Sequence, residues 1–237
     1  MRVTCLGTGS AVPVDGRVQS GVLIDDRLLV DCGAGVLSRL AEHGDYTALD
    51  GVLLTHLHTD HVSDLVALLK ARWLADAPPL PIVGPEGTAS LLAGLIDAHD
   101  YLRGRVAYEV REHDGDPGEL AGYDVTACRT VHSGPSFAYR IGDLTLSGDT
   151  EATDAVASLA AGGEALVHDC SFVDGDHSNH PTASELGEVL SGRDCGAVYL
   201  THLYPEAAAR ASAVRETVAD AYGGPVRVAH DGLAFEV

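Results

Sequence analysis

LLTHLHTDHVSD, residues 53–64, packs three histidines and one aspartate into the six positions from His56 to His61. An apolar run leads in, and a helical periodicity (Val62, Leu65, Val66, Leu69, Trp73) leads out, so the donors occupy a loop between a strand and a helix. His56 and His58 stand two apart after the strand, and in an extended segment both side chains project to the same side, where they can chelate one ion. Asp60 and His61 fall at the start of a helix expected over 62–75. Unpaired N–H groups and the helix dipole there favour anionic ligands and disfavour imidazolium, and neutral imidazole is the form that binds metal. A lone histidine in such a loop reads as a solvated turn residue, with Thr59 or Asp60 capping the helix. The combination HxHxDH in this setting reads as a metal-binding loop, because the whole pattern arises by chance far less often than any member of it.

A zinc ion needs about four donors, so one loop cannot complete two ions and other strand ends must contribute. Three residues stand where an apolar strand gives way to a polar turn: His132 after Val131, Asp149 in LTLSGDT, and His202 after VYL. His56, His58 and His132 are then expected to hold one ion and Asp60, His61 and His202 a second, with Asp149 bridging. A mixture of imidazole and carboxylate suits Zn²⁺, with Mn²⁺ or Fe²⁺ as alternatives.

The remaining histidines carry weaker signals. His43, His99 and His113 lie in polar helix ends or turns and are expected at the surface. His168 and His177 are undecided, and His230, in AHDGL, fits a turn or a place near the site. In DCSFVDGDHSNHPTASE (169–185), Asp169 and His180 either form a carboxylate–imidazole pair or belong to a loop whose histidine caps the next helix. LGTGS (6–10) follows the first strand, but GxGxxG requires glycine where the chain has Val12, so it is read as a tight glycine turn.

A chain of 237 residues, 46% hydrophobic, is expected to form one domain spanning 1–237. Its five cysteines form no CxxC pair, which argues against a disulfide framework or a thiolate zinc site; most are expected to be small buried residues. No apolar run reaches about 18 residues and MRVTCLGTGS lacks a signal-peptide pattern, so a soluble, cytoplasmic protein without membrane partners is expected. The net charge of -20, with Lys70 the only lysine, sets the surface against nucleic-acid backbones. The same acidity suits a saline cytoplasm, and bound cations would make the site locally positive.

Along the chain, strands are expected at 2–6, 20–24, 27–31 and 51–54, then a helix stopped by Pro78-Pro79, a strand at 81–84 and a helix over 86–98. Residues 105–147 read as β-rich. Helices follow near 151–161, after the capping-box spacing of Thr182 and Glu185, and over 205–222, alternating with strands at 165–168 and 197–200 and two closing strands. Strands first and helices later in each half fits two packed sheets with helices outside.

The motifs LGTGSAVP, LLVDCGAG, THLHTDH, VHSGPSFAYRI, LSGDT, HPTASE, THLYP and AHDG together resemble the metallo-β-lactamase-fold hydrolases, within them the ribonuclease Z-like phosphodiesterase branch. THLHTDH marks the superfamily, and FAYRIGDLTLSGDT followed by a histidine-threonine helix start narrows it to the branch. The resemblance implies an α/β (α+β) fold, a four-layer αββα sandwich with two metal ions at one edge. It implies the ligand set His56, His58, Asp60, His61, His132, Asp149 and His202, and a homodimer. Two departures stand out. Ribonuclease Z enzymes carry a long tRNA-binding arm between the equivalents of His132 and Asp149, where this chain has room only for a short hairpin. The family's glutamate in a HEAT-like segment is replaced by Asp169 in VHDCSF.

The expected activity is hydrolysis of a small phosphodiester by metal-activated water, with Asp60 accepting a proton and His180, oriented by Asp169, assisting the leaving group. A nucleic-acid substrate is not expected. The same site could act on a thioester, lactone or sulfate ester, and a non-catalytic metal or ligand sensor is the alternative from another class.

Overall fold

A computed structural model describes all residues, 1–237. One sheet takes β1 (Arg2–Gly7), β2 (Gly21–Ile24), β3 (Leu28–Val30), β4 (Gly51–Leu53), β5 (Leu80–Pro85) and β6 (Tyr108–His113) in that order. The other runs from β7 (Gly118–Leu120) through β8 (Tyr123–Arg129), β9 (Phe137–Ile141), β10 (Leu144–Leu146), β11 (Ala165–Asp169) and β12 (Ala197–Thr201) to β13 (Val226–Val228). The last strand, β14 (Leu233–Glu236), returns to the first sheet and pairs antiparallel with β1.

Period-2 alternation builds three cores from these strands. Leu28 and Val30 of β3, Leu53 of β4, Val167 of β11 and Tyr199 of β12 meet between the sheets around Phe137 and Tyr139. Leu29, Val52 and Leu54 face the other way, under α1 (Val36–His43), α2 (Thr59–Val62), α3 (Leu65–Leu74) and α4 (Thr88–Ala98). Leu166, Val198 and Leu200 pack under α5 (Asp154–Ala160), α6 (Ala183–Leu190), α7 (Pro205–Ala209) and α8 (Ala211–Tyr222). Strands buried on both faces read as continuous apolar runs, which is why VLL, ALVH and AVYL were legible. The result is the expected αββα sandwich.

Two expected helices differ in detail. The one expected over 62–75 is α3, preceded by the separate single turn α2, and the one over 205–222 divides at Arg210 into α7 and α8. Four cysteines are buried and Cys128 is half-buried, none in a disulfide. No helix is long and apolar enough to cross a membrane.

Strand direction positions the site. β3 to β6 are mutually parallel, as are β10 to β13. β8 is two antiparallel steps from β10 and so runs with it. The ends of β3, β4, β8, β10, β11 and β12 bring Asp31, His56, His132, Asp149, Asp169 and His202 to one edge, where open α/β sheets place their ligands.

Candidate metal centre

All seven expected donors meet at this edge. One ligand atom from each of His56, His58, His132 and Asp149 lies within 4.8 Å of the others, and the same holds for Asp60, His61, Asp149 and His202. Asp149 belongs to both groups: its carboxylate lies 3.6 Å from His56 Nε2, 3.2 Å from His61 Nε2 and 3.4 Å from His202 Nε2. A third group joins Asp149 and His202 to Asp169 and His180.

The residues fit a cation. His56 Nε2 and His61 Nε2 are buried with no hydrogen-bond partner, although each points at the carboxylate cluster. An unpaired buried polar atom costs about 1–3 kcal/mol. Two such atoms, one in each donor group and both beside Asp149, are what bound cations satisfy. The donors are imidazoles and carboxylates, a mixture that suits Zn²⁺ and related divalent ions.

What orients these rings is a pair of aspartates. Asp31, at the end of β3, accepts from His61 Nδ1 at 2.7 Å and from the Thr55 hydroxyl at 2.8 Å. With its one proton given to Asp31, Thr55 Oγ1 accepts from His56 Nδ1 at 3.1 Å, so both imidazoles turn a bare Nε2 to the site. Asp169, at the end of β11, repeats the device. It accepts from His180 Nδ1 at 2.7 Å and from Ser171 Oγ at 2.7 Å, and Ser171 lies 3.1 Å from His202 Nδ1. His132 Nδ1 donates to the Asn179 carbonyl at 3.1 Å, and His58 turns Nδ1 inward, 3.0 Å from His132 Nε2.

Asp31 and His202 have φ of 59° and 59°, left-handed values uncommon for residues other than glycine, and strain of this kind collects at functional sites. Gly33 explains the glycine of VDCGAG: a Cβ there would stand 2.0 Å from the Asp60 carbonyl. The capping box expected at α6 is present, with Thr182 N donating to Glu185 at 2.8 Å, and it anchors the loop that carries Asn179 and His180.

Burial and charge oppose each other throughout the cluster. Burial pushes the pKa of His56 well below that of an ordinary histidine, with the neighbouring His61 adding to the effect. Burial also works against the charged forms of His61 and His202. At His61 it is outweighed by Asp149 and Asp31, at His202 by Asp149 and Asp60, and both pKa values rise. At Asp149 burial is outweighed by His202 and His61, which hold the carboxyl well below the usual range. At His180 burial is outweighed by the Asp169 hydrogen bond, and the pKa rises. An acidic cavity edge this dense in carboxylates favours cations.

Between the two readings of His180, the geometry is that of the carboxylate–imidazole pair; Thr182 caps the helix. An aromatic wall flanks it: Phe172 stacks on His177 with ring centres 3.6 Å apart and lies 5.0 Å from Tyr204. His43 and His99 are partly or fully exposed, His168 is buried, and His230 is exposed in a turn. His113 departs from expectation. It is buried, and its Nε2 donates at 2.8 Å to the Tyr139 hydroxyl, which donates in turn to the Leu54 carbonyl. Its surroundings come from β9, far off in sequence. Asp31, Thr55 and Ser171 were not singled out as functional; the one local signal was an aspartate directly after the apolar strand LLV.

Such an edge, six donors around the shared carboxylate of Asp149 on an αββα sandwich, defines a metal-dependent hydrolase with the metallo-β-lactamase fold. Residues 1–217 match the model of the family described as anti-Pycsar protein Apyc1. A protein named ribonuclease Z from Mycolicibacterium paratuberculosis is 39% identical over 71% of this chain and 69% of its own length. Another of that name, from Mycobacterium marinum, is 30% identical over 100% of this chain and 99% of its own. The crystal structure of the metallo-β-lactamase-fold protein YhfI from Bacillus subtilis is similar with a TM-score of 0.85 and 27% identity, covering 100% of this chain and 99% of that one. The chain belongs to the Apyc1 family, within the ribonuclease Z-like metallo-β-lactamase-fold proteins.

Proposed function

We propose that residues 1–237 act as one domain that hydrolyses a small phosphodiester in the cytoplasm, with His56, His58, His132 and Asp149 holding one divalent ion and Asp60, His61, Asp149 and His202 a second. The observation that carries this reading is the pair of orphaned imidazole nitrogens facing a shared carboxylate, beside the His180–Asp169 pair. When bound, ions of this kind, Zn²⁺ foremost, bring the pKa of water towards neutrality and neutralise charge on a phosphoryl oxygen. Asp60 Oδ2, 3.2 Å from His202 Nε2, accepts the proton of the attacking water as its oxygen bonds to phosphorus. His180, its Nδ1 held by Asp169, gives its Nε2 proton to the leaving oxygen as the old P–O bond breaks.

A small substrate is favoured by the short span between the β8 and β10 ends. His132 is followed within five residues by β9, and β9 turns directly into β10, so no arm projects beside the site. The net charge of -20 acts in the same direction. The name ribonuclease Z borne by the relatives weighs the other way, which makes pre-tRNA the necessary comparison substrate. Metal-replete protein should hydrolyse bis(4-nitrophenyl) phosphate and neither bind pre-tRNA at moderate salt nor cleave its 3′ end. Turnover no faster than that of His58→Ala would sink the phosphodiester reading. Specific 3′ cleavage would overturn the small-substrate part, and a large preference for a thioester, lactone or sulfate ester would move the reaction class. The homodimer implied by the resemblance belongs to this proposal and is read by light scattering.

A further inference from the structure

AHDG (229–232) lies in the turn between β13 and β14, and its aspartate rather than its histidine faces the protein: the Asp231 side chain is 4% exposed. All its partners are donors. Oδ1 accepts from Thr8 N at 3.0 Å and from Thr8 Oγ1 at 2.7 Å, while Oδ2 accepts from Val18 N at 2.7 Å, with Arg39 Nε 3.8 Å away. The two oxygens therefore tie down two different loops.

Each loop in turn holds the backbone of one donor. The Thr8 carbonyl accepts from His202 N at 3.1 Å, where the chain takes its left-handed turn. Arg17 Nη1 closes this arm by donating to Thr8 Oγ1 at 2.6 Å and to the Ala229 carbonyl at 2.7 Å. On the other arm, two residues after Val18, Ser20 N donates to the Asp60 carbonyl at 3.2 Å. The arms also touch: a Cβ at Gly7 would stand 1.7 Å from the Gln19 carbonyl, which is what the glycine turn LGTGS is for. No hydrogen bond from either loop reaches His56, His58 or His132.

We propose that Asp231 is a positioning residue for the Asp60–His61–Asp149–His202 group alone, setting the backbones of Asp60 and His202 through one carboxylate. A protein with this carboxylate disabled keeps the ion held by His56, His58 and His132 and loses its grip on the other. The inference rests on the two-group ligand assignment proposed above.

The test uses Asp231→Asn, which is isosteric but turns an amide donor towards an N–H. Metal-free wild type and variant are reloaded with Zn²⁺ and counted by mass spectrometry after dialysis, and with Co²⁺ and followed by visible absorption. Wild type should retain two equivalents. The variant should retain one, with the second weakened about 10–100-fold and restored, together with hydrolysis, by excess metal. Tyr222→Phe, which removes buried hydrogen bonds to Cys195 and Gly196 at the opposite edge of the sheet, should lower stability and keep both equivalents. Two equivalents at wild-type affinity in Asp231→Asn, or parallel loss of both, would overturn the inference. A wild type that does not take up two equivalents would overturn the ligand assignment instead. Should Asp231→Asn not fold, Thr8→Val, which removes the hydroxyl bridging Asp231 and Arg17, carries the same expectation of selective loss, and unchanged stoichiometry and affinity there overturns it.

Discussion

Asp31 and Asp169 do the same work in the two halves of the molecule and serve different ends. Each stands at the end of a buried strand, holds one imidazole directly and reaches a second through a hydroxyl: His61 and, through Thr55, His56 on one side; His180 and, through Ser171, His202 on the other. Both imidazoles governed by Asp31 face the carboxylate cluster, one in each donor group. Of those governed by Asp169, His202 faces the cluster, while His180 is 12% exposed beside Phe172 and Tyr204. In the proposed mechanism, repetition of this simple device separates metal holding from proton delivery. What differs is where the second ring ends up.

The strongest way to break the comparison is to remove what the halves share. Asp149→Ala should lose both ions and drop hydrolysis to the level of metal-stripped protein, checked by metal analysis beside the rate. His180→Ala sharpens it: metal content should stay, while hydrolysis of an ester with a poor leaving group falls about 10²–10⁴-fold and that of a nitrophenyl ester much less. Equal losses on both substrates would deny His180 its role at the leaving group.

Asp31→Asn and Asp169→Asn test the two orienting carboxylates against each other. A lost outer-shell partner typically costs about 10–100-fold in metal affinity or activity. Asp31→Asn should weaken both ions, since it disturbs one donor in each group. Asp169→Asn should weaken only one and add the leaving-group dependence of His180→Ala; indistinguishable metal titrations would erase the asymmetry.

The smallest expected effect concerns His113, which supports the Asp31 side through Tyr139 and the Leu54 carbonyl. Burial lowers its pKa, aided by the charge of Arg111. The unfolded chain therefore takes up a proton that the folded chain refuses, and its contribution to stability, present above the unfolded value of about 6.5, is lost as pH falls towards the folded one. His113→Gln should flatten that part of the stability–pH curve in urea titrations. A variant curve parallel to wild type would show that folding does not lower the His113 pKa.

Much of this was readable from the chain alone. THLHTDH announces itself because its donors are neighbours in sequence, and His132, Asp149 and His202 could be added because each ends an apolar strand. The order of strands and helices fitted two packed sheets with helices outside, and the family resemblance supplied the αββα sandwich. The residues that escaped are those whose role lies in a partner distant along the chain. Asp31 meets His61 across 30 positions, Ser171 meets His202 across 31 and Asp231 meets Thr8 across 223. His113 was misplaced for the same reason, since Tyr139 from another sheet buries it. Local sequence determined which side chains can bind a cation, because that depends on residue type and the pitch of a strand. Only the packing of two sheets decided which carboxylate turns which imidazole, because a hydrogen bond of under 3 Å depends on where strands end in space.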